Sequence, residues 1–297
     1  MPVSYGNTLY VGGTGEGNYT KIQDAIDNAT WHDTIFVFDD SSPYYENIII
    51  DNLWYINLIG ENKSSTIIDG EGKSNVIVLW SNHVEISNFT IINSYSCGIY
   101  IHYGYGDFSS ISNNIILNSG TAIDTGGTYE SLNISHNILE NGKYGIYLDS
   151  GSNGTFTYNI IKKFKYGIKI ASDIGPNNNI MCNQFEENKC GLLIWLESDF
   201  GKVIQNNFIN NKRDILFYID RPIRRHCLHL LLTPLFTDNY YDAWLGKGPK
   251  LIIGRAIIFY IPLSIEFLYI VVLIPILIIP WIMFDKHPAK EPYNIRV

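Results

Sequence analysis

Apolar and polar residues alternate in short runs along most of the chain, and the runs recur. Segments 97–101, 121–125, 144–148, 166–170, 190–194 and 213–217 align on Gly98, Ala122, Gly145, Gly167, Gly191 and Asp214, at spacings of 24, 23, 22, 24 and 23 residues. One position after each anchor stands Ile99, Ile123, Ile146, Ile168, Leu192 or Ile215. Three positions after stands Ile101, Thr125, Leu148, Ile170, Ile194 or Phe217. Period-two alternation turns both columns inward. A third apolar column, Ile111, Ile134, Phe156, Ile180 and Val203, lies eleven residues before the anchors. A fixed period of this length, built from short strands without helical spacing, predicts an all-β solenoid: a right-handed, single-stranded parallel β-helix.

Eight residues before the anchors the pattern turns polar, with Asn114, Asn137, Asn159, Asn183 and Asn206 in one column. Asparagine tolerates left-handed backbone, and stacked amides can hydrogen-bond from coil to coil. This ladder is expected to shape a turn, not to catalyse. Upstream the repeat loosens, and 34–38, 48–50, 56–59, 66–68, 76–79 and 84–86 read as strands. The stretch from Asn18 to Ala29 differs: Ile22, Ala25, Ile26 and Ala29 sit at helical spacing behind a Thr20-x-x-Gln23 capping box. An amphipathic helix there would cover the open N-terminal end of the solenoid. The predicted organisation is a strand and capping helix over 1–30, the β-helix over 31–220, a cap or linker over 221–255, an apolar segment over 256–284 and a tail over 285–297.

Charge narrows the function. Residues 1–218 hold 12 Lys/Arg against 23 Asp/Glu, net −11, whereas 219–297 hold 9 against 6, net +3. An acidic solenoid excludes nucleic acid as the partner, because that needs a basic footprint. Four cysteines are too few for a disulfide framework. Cys97 and Cys190 share a column four rungs apart, about 19 Å at ~4.8 Å per rung, too far to pair. The N-terminal stretch has no basic region followed by an apolar one, so the chain is expected either to stay inside or to be a mature form or fragment. Six Asn-x-Ser/Thr sequons, from Asn18 to Asn153, fit an exported glycoprotein, although a chain this rich in asparagine collects several by chance.

Two outward columns carry candidate chemistry. One contains Tyr100, Asp124, Tyr147 and Lys169; the other contains His102, Asp149 and Trp195. Rings can pack on sugar faces, and carboxylates can bind hydroxyls or Ca²⁺. Asp124 and Asp149 lie on neighbouring rungs with Cα atoms roughly 8 Å apart, room for an inverting acid/base pair. The competing reading is a solvated sheet face rich in β-favoured tyrosine. The only His/Cys cluster, His226, Cys227 and His229, lies in an apolar run where a packed end segment competes with a metal site. No cofactor is evident. Residues 267–284 are uncharged for 18 residues, and basic residues flank the apolar run. A bilayer anchor is the favoured reading. Pro262, Pro275 and Pro280 resist a continuous helix, so a hairpin dipping into lipid and a buried cap remain open.

Residues 9–29, Asp33–Val37, Tyr45–Ile50, Ile59–Glu61, Thr66–Gly70 and Val84–Ser94 together resemble NosD-type β-helix proteins, also described as carbohydrate-binding and sugar-hydrolase (CASH) domains. The resemblance covers roughly residues 8–218, and segments 239–244 and 284–293 are similar to the end segments of archaeal members. It implies export, contact with polysaccharide or cell-envelope protein and, for the NosD branch, copper-enzyme maturation. The catalytic patterns of pectinase-like β-helices are not found: Asp39-Asp40 is the lone Asp pair, and no Gly-His-Gly occurs. Three readings follow. The first is a non-enzymatic envelope protein presenting a face to glycans or partners. The second is a polysaccharide lyase or hydrolase acting through Asp124 and Asp149. The third is an accessory protein for metal-enzyme maturation.

Overall fold

The computed structural model describes residues 6–171, 175–196, 201–220, 236–242, 250–258, 277–285 and 288–297. They form a parallel β-solenoid. One face is a ten-stranded sheet whose rungs begin at Thr8–Val11, Thr34–Val37 and Asn57–Gly60 and end at Lys202–Ile204 and Phe236–Thr237. Every neighbouring pair along it is parallel, with successive coils adjacent. The other sheet bends around two further faces. In Ile115–Asp124 the first residues pair with Thr90–Ile92, and the last pair with Cys97–Ile101. The bend falls on Asn118, at φ 54°, and recurs at Asn141 and Lys163. A second left-handed column, Asn88, Asn113, His136, Tyr158, Cys182 and Gln205, marks another corner. Such corners suit asparagine, whose short side chain can bond locally.

The predicted inward columns are buried. Ile99, Ile123, Ile146, Ile168 and Leu192 are fully enclosed, as are Ile111, Ile134, Phe156, Ile180 and Val203. A further inward column, absent from the sequence reading, fills the remaining face with Ile116, Leu139, Ile161, Phe185 and Phe208. Phe185, Phe208 and Tyr241 stack through it at 4.9 and 5.2 Å. Each such side chain is worth about 1.5–3 kcal/mol of burial, so apolar columns dominate the fold.

The asparagine ladder forms as expected and is fully buried. From Asn137 onward each Oδ1 accepts the backbone N–H and the Nδ2 of the preceding rung, as Asn159 does from Asn137 at 3.0 Å for both, and Asn114 Oδ1 accepts Phe89 N–H. Each Nδ2 also donates to an inward carbonyl, Asn159 to Ile134 O at 2.9 Å. The ladder runs beyond Asn206 to Asn239, whose N–H and Nδ2 donate to Asp285 Oδ2 at 3.1 and 3.0 Å. A buried carboxylate thus ends a row of amides that all point the same way.

The structure differs from the sequence reading at both ends. The helix is shorter than the 18–29 stretch suggests, Ile22–Asp27, and it buries Ile22, Ala25 and Ile26 against the first strands. The Thr20/Gln23 box does not form. Lys21 is the N-cap and makes no side-chain cap, and Glu46 of the next coil accepts from Ile22 N–H and Gln23 N–H at 2.8 and 3.0 Å. A carboxylate at a helix start satisfies orphan donors and the helix dipole together. At the other end, Lys250–Ile258 and Leu277–Asp285 form an antiparallel strand pair, and the first of them pairs with Ile215–Asp220. The apolar segment predicted over 256–284 therefore begins and ends as strands that extend the sheet, across the predicted boundaries. Among the described residues no helix is long and apolar enough to cross a membrane.

Candidate outward site

Register places Tyr100, Asp124, Tyr147 and Lys169 side by side on consecutive rungs of one face, followed by Leu193 and Leu216. The row is outward because its neighbours Ile99, Ile123, Ile146 and Ile168 point inward. Asp149 follows Leu148 in the adjacent column, with its N–H bonded to Thr125 Oγ1 at 3.2 Å. Asp124 is pushed above the usual carboxylate range by burial first, with the Asp149 charge adding to the rise. Burial and both carboxylates also raise the Tyr100 and Tyr147 phenols, which stay protonated donors at neutral pH.

Asp124 is partly committed to its own chain. Its Oδ1 accepts Gly126 N–H at 2.9 Å, and its Oδ2 lies 3.8 Å from the Cys97 thiol. Gly126 sits at φ 55°, and a Cβ there would fall 2.2 Å from Ile101 O and onto the Tyr100 ring. The glycine lets Asp124 close this turn. Lys169 Nζ lies 4.7 Å from the Tyr147 ring centroid and 5.3 Å from that of Tyr144, within cation–π range.

His102 joins the row through aromatic contacts, 4.8 Å from Trp80 and 6.1 Å from Tyr100 by ring centroids. Its Nδ1 is buried and lacks a partner. Trp80 shares the His102 column one rung earlier and was missed from sequence because the upstream repeat is irregular. Trp195 lies two rungs past Asp149, with Ala171 between, so about 10 Å of sheet separates them. It stacks on Tyr218 at 5.0 Å. The structure thus groups Tyr100, His102, Asp124, Tyr147, Asp149 and Lys169, and sets Trp195 apart.

Cys97 and Cys190 are structural. Cys97 and Cys190 are buried and separated by the rungs of Thr121, Tyr144 and Tyr166. Burial pushes the Cys97 thiol up to about 11 and the Cys190 thiol up to about 12, which leaves both unreactive thiols. His226, Cys227 and His229 lie outside the described residues.

The fold and its outward row define the class: a parallel β-helix with a polar and aromatic face. The family model described as "Periplasmic copper-binding protein (NosD)" matches residues 26–221, and the chain belongs to that family. No curated protein matches it. Among solved structures, a pectin methylesterase mutant in complex with a hexasaccharide is similar, with 12% identity over 73% of this chain and 80% of that one, at a TM-score of 0.45. Copper sites gather imidazole, thiolate or thioether ligands. Among the described residues no three His, Cys, Asp or Glu side chains come together, and Cys97 and Cys190 hold their protons. The described residues do not fit a copper centre.

Proposed function

We propose that this protein is an extracytoplasmic β-helix that binds glycan along the Tyr100–Asp124–Tyr147–Lys169 row and leaves the glycan intact. The observation that carries the reading is the register itself: phenol, carboxylate, phenol and ammonium face outward on consecutive rungs. Phenols and carboxylates bond hydroxyls, and rings supply apolar contact. Binding is favoured over turnover because both Asp124 oxygens already engage protein groups, Gly126 N–H and the Cys97 thiol. The periplasmic description of the family supports a location outside the cytoplasm. Membrane attachment through the apolar 256–284 segment is part of this reading, with its two described ends paired as antiparallel strands on the last coil.

The test is a glycan array probed with the full chain and with the Asp124→Asn/Asp149→Asn variant, alongside assays for released reducing ends and unsaturated sugars. The expected result is binding by the native chain, weaker binding by the variant and no product from either. A product that vanishes in the variant while binding persists would establish an enzyme and sink the reading.

A further inference from the structure

A second row on this solenoid has an unusual charge pattern. Two residues before the anchors stand Lys143, Lys165, Lys189 and Lys212, at spacings of 22, 24 and 23 residues. Backbone bonds fix them as direct neighbours: Lys189 N–H donates to Phe164 O and Lys212 N–H to Asn188 O, both at 2.9 Å. The Tyr144–Tyr166 register sets Lys143 beside Lys165 in the same way. All four are exposed, as is Arg213 next to Lys212. Among the described residues none of the five forms an ion pair, whereas nearby Lys162 and Lys163 both bind Glu140. Lys165, Lys189, Lys212 and Arg213 border a shallow hollow of about 230 Å³ that also touches Tyr166 and Leu216.

Like charges directly opposite on neighbouring strands repel and destabilise a sheet. Four in register, none in an ion pair among the described residues, on a solenoid whose residues 1–218 carry net −11, call for a purpose other than solubility. Such a row concentrates positive potential along a line. The Lys143 and Lys165 ammoniums rest over the Tyr144 and Tyr166 rings at 4.8 and 5.3 Å, which holds them off the sheet. Those two rings stack at 5.6 Å, forming an apolar strip beside the charges.

We propose that this lysine row binds a linear acidic polysaccharide bearing one carboxylate per sugar. One sugar of an extended chain is close to one rung in length, ~4.8 Å, so successive carboxylates meet successive lysines. The strip beside them accepts the apolar edges of the sugars. A nucleic-acid duplex would need a wide basic surface, which this acidic chain lacks. The inference rests on the glycan-binding reading for its class of macromolecule and adds a charge and a second row.

The test is calorimetric titration of the full chain with an oligouronate spanning the four rungs, with a neutral oligosaccharide of equal length, and with polyphosphate of equal charge. It includes the exposed-site variants Lys165→Glu/Lys189→Glu and Lys165→Gln/Lys189→Gln. The row predicts that the oligouronate binds most tightly, that salt weakens it, and that charge reversal costs about tenfold or more while the Gln pair costs less. Oligouronate affinity unchanged by charge reversal, or polyphosphate binding as tightly, overturns the proposal. If the neutral chain binds and the oligouronate binds no better, only the lysine row falls. If no glycan binds at all, the glycan-binding reading falls with it.

Discussion

Two rows run along this solenoid at the same period and do opposite things. The inward row of Asn114, Asn137, Asn159, Asn183 and Asn206 is wholly buried, and each of its amides is satisfied by the next rung. The outward row of Tyr100, Asp124, Tyr147 and Lys169 follows the same register but leaves bonding capacity toward solvent. Periodicity alone therefore does not separate structure from function. Satisfaction does: a buried polar row must close on itself, whereas a binding row must keep groups available for its ligand.

The largest effect is expected at the middle of the inward row. Asn159→Ala removes the acceptor for Asn137 N–H and Nδ2 and the donor to Ile134 O. With each stranded buried group costing about 1–3 kcal/mol, the variant should lose about 3–6 kcal/mol in urea unfolding. A loss below about 1 kcal/mol, the scale of an ordinary net hydrogen bond, would show that the ladder is incidental. A smaller net loss, about 2–4 kcal/mol, is expected for Asp285→Ala, which removes an acceptor from Asn239 N–H, Asn239 Nδ2 and the Tyr241 hydroxyl but also removes a buried carboxylate, whose desolvation offsets part of the cost. Tyr241 holds its proton far above the ordinary phenol range through burial and the Asp285 charge, so it remains a donor to that carboxylate. Limited proteolysis should then release the tail that Tyr293 docks on Asn207.

The smallest effect is a pH dependence in the outward row. Burial raises the Asp124 pKa in the folded protein, so the folded state holds the proton more tightly than the unfolded chain. Stability should therefore fall as pH rises from the ordinary carboxylate range through the raised value, and level off above it. Asp124→Asn should flatten that fall in a series of thermal melts. An Asp124→Asn profile that keeps the native slope would place the titration elsewhere.

Much of this was legible in the sequence because a solenoid repeats its solution. The period of about 23, the inward columns and the asparagine ladder needed only neighbouring coils to be read. What stayed hidden depends on groups outside the repeat. Glu46 caps the helix from the next coil, where no local motif announces it. Asp285 ends the ladder 46 residues after Asn239, beyond a long departure from the period. The inward column of Ile116, Leu139, Ile161, Phe185 and Phe208 escaped because its first three residues fall inside long strands that bend around a corner. Trp80 escaped because the spacing of the early coils is uneven. The apolar 256–284 run suggested a membrane helix by length and hydropathy, but its ends pair as strands, because a sheet edge on the last coil offers them partners.

The central claim is that the outward row serves binding and the inward row serves stability. Its most direct test measures both properties on one variant, Tyr147→Ala, by glycan titration and thermal unfolding. Tyr147 lies between Asp124 and Lys169 and touches no buried hydrogen-bond ladder. The account predicts a clear loss of glycan affinity with a melting temperature close to that of the native chain. Native affinity with a markedly lowered melting temperature would contradict it, and would return the outward row to the fold.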